Sequence, residues 1–173
     1  LQQAFNYQEA FNSNLKGKHT IGHANWLMFD YNRGYAPDIE SSGISDIFRI
    51  PKFAHYFYQS QRDLSKFPNT EPTLYIANYW NDVNTKTITV FSNLKEVALY
   101  INEELVERKT PTINSFSDQL LHPPFVFEIK QMKPGVIKAI GFKNGKAIKE
   151  HQVKTPETPK QIQLELDLSN KHV

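Results

Sequence analysis

The hydrophobic residues of this 173-residue chain change their spacing at about residue 67, and this change restricts the folds open to it. After Pro72, apolar and polar residues alternate, as they do around Leu74 and Ile76. Alternation of this kind is typical of strands that bury one face. Seven more such runs lie at 88–90, 97–101, 105–108, 125–129, 136–142, 147–153 and 162–168. Roughly eight short strands, with the hairpin signal Asn144-Gly145 between two of them, predict an immunoglobulin-like β-sandwich.

The preceding part of the chain has the spacing of helices and of one buried strand. Residues 1–15 carry apolar side chains three or four positions apart, which predicts a helix. The nearly continuous apolar run at 24–29 predicts a strand buried on both faces, as in a parallel sheet. A long loop rich in Gly, Pro, Ser, Asn and Asp occupies 30–47, and residues 51–62 predict an amphipathic helix that begins with Pro. Helix, strand, loop and helix in this order form an α/β pattern.

We therefore predict two units joined by a Pro-containing linker, residues 1–66 and residues 67–173. The first has an αβα order and the second is a β-sandwich, so the chain as a whole is predicted to be mostly β. Long loops in compact domains are usually functional, and the loop of the first unit is the segment richest in reactive and aromatic side chains.

Charge and composition exclude several classes of function. The 20 Lys and Arg residues and 18 Asp and Glu residues are interspersed, which argues against nucleic-acid binding. No apolar run approaches the ~18–20 residues of a membrane span. The chain has no Cys, which excludes disulfides and thiolate metal sites. His19 and His23 are four residues apart, but a loop interrupted by Gly22 does not hold two His side chains in the geometry of a shared metal. We therefore expect no metal and no cofactor. Because the sequence begins at Leu1 without an initiator Met or a signal peptide, we expect it to be part of a longer protein.

A candidate ligand site lies where the predicted strand enters the loop. Trp26 offers a flat apolar face that can stack on a sugar ring, and Asp30, Asn32 and Arg33 offer polar partners for hydroxyl groups. In parallel α/β folds, ligands meet the carboxyl ends of the strands. The alternative is that Trp26 belongs to the core and Asp30 caps a turn, and the spacing by itself favours this structural interpretation.

The acids near this loop are poor candidates for a catalytic pair. Glycoside hydrolysis needs two carboxyl groups set ~5–5.5 Å apart for retention, or further apart for inversion. Asp30, Asp38, Glu40 and Asp46 are the acids nearest the loop, and none forms a Glu pair at the ends of two strands. A small α/β enzyme centred on residues 30–40 therefore lacks a recognisable catalytic pair.

Another class of function also fits the sequence. A sandwich with an α/β cap can be a non-catalytic module that binds carbohydrate or protein. Tyr79-Trp80 is the feature that would form its binding platform. The alternative is that these two rings pack at the interface with the first unit.

Five stretches of the chain, in order, resemble glycoside hydrolase family 2, and the bacterial β-galactosidase type above all. The first unit contributes Asn25-Trp26-Leu27-Met28-Phe29-Asp30-Tyr31, the run 42–48, and Pro51-Lys52 followed by Tyr56-Phe57-Tyr58-Gln59-Ser60. The second contributes Val90-Phe91-Ser92-Asn93 with the strand 97–102, and the hairpin 133–146. The sandwich turn departs from the usual Asn-Gly of the family, since Asn102-Glu103-Glu104 stands there, and the loop 30–34 also differs.

The resemblance implies that residues 1–66 are the αβα end of a (β/α)8 barrel, followed by an immunoglobulin-like domain. It implies a retaining β-glycosidase whose two catalytic Glu residues precede Leu1, acting on a β-galactoside or a related glycan in the periplasm or outside the cell. The chain alone is then expected to be inactive, with no catalytic residue of its own. The barrel strand 24–29, left without neighbours, is expected to promote self-association.

Overall fold

The computed structural model describes residues 1–163, and most of its regular structure is β-sheet. Two helices and two very short strands come first: α1 Gln2–Lys16, β1 Tyr31–Asn32, β2 Ile39–Glu40 and α2 Phe53–Ser60. Seven strands follow: β3 Leu74–Ile76, β4 Thr87–Ser92, β5 Glu96–Ile101, β6 Glu104–Lys109, β7 Phe125–Glu128, β8 Val136–Lys143 and β9 Lys146–Lys154. Neither of the two helices is long and apolar enough to cross a membrane.

The seven later strands form two antiparallel sheets that face each other. One sheet has the order β3-β4-β7 and the other the order β6-β5-β8-β9. This is an immunoglobulin-like sandwich in which β6, the fourth strand of the sandwich, pairs with β5 at the edge of the four-stranded sheet. The structure confirms the predicted mostly β fold class. Of the eighth predicted strand, at 162–168, residues 162 and 163 are not in a strand and the rest lies outside the described residues.

The core of the sandwich is built from the alternating residues that the sequence pattern identified. On β4, Ile88 and Val90 are fully buried, and Phe125 and Phe127 of β7 are fully buried beside them. Trp80 is the largest side chain in this core, with 1% of its surface exposed. Burial of large apolar side chains is the dominant favourable term in folding, and here it holds the two sheets together.

Helix α2 packs against the outer face of the β3-β4 sheet, and α1 packs against α2. The rings of Phe57 and Phe91 meet edge to face with their centroids 5.7 Å apart, and the rings of Tyr56 and Tyr75 are stacked at 3.5 Å. Burial raises the pKa of Tyr75 to about 12, since the ionised form loses its hydration there. The helices thus form a second apolar cluster that is continuous with the sandwich.

The turn between β5 and β6 forms without the usual Asn-Gly sequence. Asn102 and Glu103 have φ values of 49° and 67°, which is the left-handed pair of a type I′ turn. The Asn102 side chain supports the turn, because its Oδ1 accepts the N–H of Val136 at 2.8 Å and its Nδ2 donates to the carbonyl of Pro134 at 2.9 Å. The departure from the family pattern therefore leaves the hairpin intact.

The prediction of a buried strand at 24–29 is wrong for this chain as it folds here. Phe29 makes an isolated parallel bridge to Ser45, and the carbonyls of Leu27 and Met28 accept the N–H groups of residues 44 and 45, but this pairing does not extend into a strand. Trp26 and Met28 are 70% and 62% exposed. The physical reason is that a buried parallel strand needs a neighbouring strand on each edge and a packed layer on each face. Within residues 1–163 the segment has a short pairing on one edge, and one of its faces is exposed.

The contact between β9 and β3 should make the stability of the protein depend on pH. His151 Nδ1 accepts the N–H of Ile76 at 3.2 Å, and its ring lies 4.5 Å from that of Tyr75. Burial lowers the pKa of His151 below the usual value of about 6.5, so the unfolded state binds the proton more readily. The free energy of unfolding should therefore fall as the pH decreases through about 6.5.

We expect His151→Gln to reduce the loss of stability between pH 7.5 and pH 5.5, measured by urea unfolding at both pH values. Some dependence will remain, because burial also lowers the pKa values of His55 and His122. His19→Gln, on an exposed residue, is the control and should leave the dependence unchanged. An unaltered pH dependence in His151→Gln would contradict this assignment.

Candidate functional site

The loop that carries the candidate residues is held in place by α1. The single hydroxyl proton of Tyr7 is shared between the carbonyls of Ser42, 2.5 Å away, and Trp26, 3.2 Å away. The side chain of Gln3 donates to the carbonyl of Gly43 at 3.0 Å. One helix therefore fixes both ends of the loop, including the backbone of Trp26.

Asp30 lies inside the loop and joins it to the start of α2. Its carboxylate pairs with the ammonium group of Lys52, with Nζ at 2.8 Å from Oδ1 and 2.7 Å from Oδ2, and Oδ1 also accepts the N–H of Gly43 at 2.9 Å. A side chain at Gly43 would place its Cβ 2.4 Å from the backbone nitrogen of Asp30, so only glycine permits this approach. The structure thus gives Asp30, which is 8% exposed, a supporting role in the loop.

Asn32 and Arg33 are also engaged within the loop. Asn32 Oδ1 accepts the N–H of Gly34 at 2.9 Å. The guanidinium of Arg33 pairs with the carboxylate of Glu40 and lies 3.6 Å from that of Asp38. These contacts brace the short β1-β2 hairpin, and a ligand would have to share or replace them.

Trp26 is the candidate residue whose side chain is available to a ligand. Its side chain is mostly exposed, and its ring stacks on no other aromatic ring within residues 1–163. The peptide bond between Trp26 and Leu27 is cis. The interpretation of Trp26 as a core residue is therefore excluded for the described part of the chain.

Each acid of the loop is already committed to a partner. Glu40 accepts the hydroxyl of Ser42 at 2.6 Å, and this bond, followed by the pairing with Arg33, lowers the pKa of Glu40. A general acid needs a raised pKa, so Glu40 is in the wrong state for that role at neutral pH. Asp46 Oδ1 accepts the N–H groups of Phe48 and Ile50, each at 2.8 Å.

The remaining sequence candidates are accounted for by packing. The two ring nitrogens of His23 lie 3.1 Å from the side chains of Asn14 and Tyr58, and no cluster of metal-ligating side chains occurs within residues 1–163. Tyr79 is 71% exposed and its ring lies 4.8 Å from that of Phe53 on α2, whereas Trp80 is in the sandwich core. The two neighbouring rings therefore do not form a joint binding platform.

Several residues that shape the site could not be assigned from the sequence. Tyr7 and Gln3 lie far from the loop in sequence, and their positions on α1 look like ordinary helix surface. Lys52 precedes α2, where a Lys carries no signal of its own. In each case the partner is a backbone carbonyl or a carboxylate brought close only by folding, so no spacing rule identifies the pair.

Comparison with known proteins shows which proteins this chain resembles. The family model described as "Domain of unknown function (DUF4982)" matches residues 84–149, within the sandwich. A β-galactosidase of Thermoanaerobacter pseudethanolicus is 36% identical over 163 residues, which cover 84% of this chain and 21% of that protein. A β-glucuronidase of Formosa agariphila is 34% identical over 126 residues, covering 70% of this chain and 12% of that protein.

A solved structure extends the relationship to the fold. A β-glucuronidase from glycoside hydrolase family 2 superimposes with a TM-score of 0.66 at 27% identity, covering 91% of this chain and 16% of that one. The superposition includes both the sandwich and the helix and loop segment that precedes it. The chain belongs to glycoside hydrolase family 2, and it spans about a fifth of the length of the β-galactosidase that it matches.

The structure separates residues that hold the loop from those that can meet a ligand, and mutation tests this. Asp30→Asn should lower the free energy of unfolding by about 1–2 kcal/mol, because it leaves the largely covered ammonium group of Lys52 without its counter-charge. Trp26→Ala should change it by less than about 0.5 kcal/mol, because the ring is mostly exposed. Urea unfolding measures the free energy of unfolding of both variants. An equal loss of stability in the two would contradict the assignment of Asp30 to the support of the loop and of Trp26 to ligand contact.

Proposed function

We propose that this chain is the end of the catalytic barrel, with the sandwich that follows it, of a retaining β-glycosidase acting on a β-galactoside or a related glycan. In this proposal residues 1–66 are the last αβα segment of a (β/α)8 barrel and residues 67–173 are the following domain. The similarity to a β-galactosidase over most of the chain carries the proposal. The exposure of the segment 24–29 supports it, because a barrel strand would lose its neighbours in this part of the protein.

The proposed reaction requires residues that lie outside this chain. Retention proceeds through a glycosyl-enzyme and uses two carboxyl groups ~5–5.5 Å apart, one as nucleophile and one as acid and base. Asp30, Asp38 and Glu40 are ion-paired and Asp46 caps a turn, so none is free for either role. We place both catalytic groups upstream of Leu1.

The part of the reaction assigned to this chain is binding and orientation. Trp26 forms a wall of the sugar site, and Tyr7 holds its backbone through the 3.2 Å bond to the Trp26 carbonyl. Arg33 and Lys52 are both neutralised by carboxylates of the loop, which favours a neutral glycoside over a charged one. The sandwich braces α2 and, through Lys52, the loop.

Hydrolysis assays distinguish the chain from the whole protein. The purified 173-residue chain should release no nitrophenol from p-nitrophenyl β-galactoside, whereas the full-length protein should. Trp26→Ala in the full-length protein should reduce kcat/KM by about 10-fold or more, as expected when a wall of the sugar site is removed. Turnover by the chain alone that is lost in Glu40→Gln would refute the proposal.

We also propose that the chain self-associates through the segment 24–29. Trp26 and Met28 expose apolar surface, and the segment pairs along one edge with residues 44 and 45 without extending into a ladder. Light scattering should show a mass that rises with concentration, and Met28→Ser should weaken this. Ile148→Ser, on an exposed apolar residue of β9, is the matched control. A concentration-independent monomer would contradict this proposal.

A further inference from the structure

A groove between α1 and the sandwich has no role in the site described above. Its α1 wall carries Phe5 and Glu9, and its sandwich wall carries Asn114, Phe116 and Val126. The groove has a volume of about 330 Å³, which is within the range of small-molecule sites, ~300–1,000 Å³. It lies on the side of α1 that faces the segment between β6 and β7.

Two phenyl rings line the groove, one from α1 and one from the segment between β6 and β7, and both keep exposed surface. Phe5 is 36% exposed and Phe116 is 51% exposed. Neither ring contacts another aromatic ring in the described part of the chain, where other Phe side chains do. Exposed aromatic faces in a concave site are suited to the apolar face of a ligand ring.

A buried polar atom at the groove also lacks a partner. Gln8 is 7% exposed, and its Nε2 donates to the carbonyl of Phe116 at 3.2 Å, while its Oε1 has no hydrogen bond among residues 1–163. An unpaired buried acceptor is costly, and a hydroxyl donor would relieve that cost.

Two side-chain amides at the groove, those of Asn6 and Asn114, have unfilled hydrogen-bonding capacity. Asn6 Oδ1 accepts the amide of Gln2 at 2.9 Å, and Asn114 Oδ1 accepts the N–H of Phe116 at 2.9 Å. Within the described residues, the Nδ2 groups of both side chains make no hydrogen bond. The groove therefore presents both donors and acceptors beside its rings.

We propose that this groove binds a neutral saccharide, with a pyranose ring between Phe5 and Phe116 and a hydroxyl donating to Gln8 Oε1. Glu9 is the one charged residue among those lining the groove, and it disfavours an anionic sugar. The groove chemistry points to a polyhydroxylated ring, and the choice of a galactose-type sugar rests on the proposed function. A site of this size and polarity should bind a monosaccharide with a dissociation constant on the order of 1 mM.

Titration of the 173-residue chain with methyl β-galactoside, followed by ¹H–¹⁵N NMR, tests the proposal. Saturable shifts should be confined to residues 2–9 and 112–126. Phe116→Ala and Gln8→Met should each weaken binding by about 5-fold or more, since one removes a stacking face and the other the acceptor. Phe48→Ala, on an 80% exposed Phe outside the groove, should leave binding unchanged.

The comparison ligands decide between ligand classes. Glucuronate and methylammonium should bind at least 5-fold more weakly than the neutral sugar. Tighter binding of methylammonium would overturn the proposal in favour of a cation held by Glu9, and absence of saturable shifts at 50 mM sugar would overturn it altogether. Thermal melting of each variant within a few degrees of the parent confirms that a loss of binding is not a loss of fold. Because no hydrolysis is measured, failure here leaves the proposed glycosidase function untouched.

Discussion

The position of the candidate site depends on the packing of α2 against the outer face of the three-stranded sheet. Phe57 meets Phe91, and Tyr56 stacks on Tyr75, so that apolar burial fixes the helix against β3 and β4. This packing buries β4 on both faces, which explains why nearly every residue of β4 is buried despite its alternating sequence. A helix held this firmly can position the residue that precedes it.

That residue is Lys52, and through it the sandwich is connected to the ligand loop. The pairing of Lys52 with Asp30 ties the loop to the start of α2, and the N–H of Gly43 completes the environment of the same carboxylate. Tyr7 on α1 fixes the loop from the other side. The loop therefore has a defined shape although β1 and β2 are only two residues each, because its polar groups are satisfied by partners on α1, at the start of α2 and within the loop itself.

Much of the fold could be predicted from local sequence. The strands β3 to β9 follow from period-two alternation, and the hairpin at Asn144-Gly145 follows from residues that accept positive φ. The helices follow from apolar residues three or four positions apart. For Tyr79-Trp80 the sequence allows a binding platform or packing against the first unit. Tyr79 does contact Phe53 of α2, but the packing of the two sheets places Trp80 in the sandwich core, which neither interpretation predicted.

The candidate site shows where sequence reasoning ends. The sequence identified Trp26, Asp30, Asn32 and Arg33 together, because residue type and order are local properties. It could not separate the exposed Trp26 from the buried Asp30, since burial depends on which distant groups fold against each residue. The segment 24–29 shows the same limit: its apolar run encodes a strand, but pairing requires neighbouring strands at both edges.

The sequence by itself determined both helices, the seven strands of the sandwich and the family, because hydrophobic period, turn residues and motif order are properties of the local sequence. Only the tertiary structure decided that Asp30, Asn32 and Arg33 brace the loop while Trp26 faces outward, and that Phe5 and Phe116 line one groove. The physical reason is that ion pairs, hydrogen bonds and grooves join residues distant in sequence. Their partners are selected by packing geometry and not by spacing.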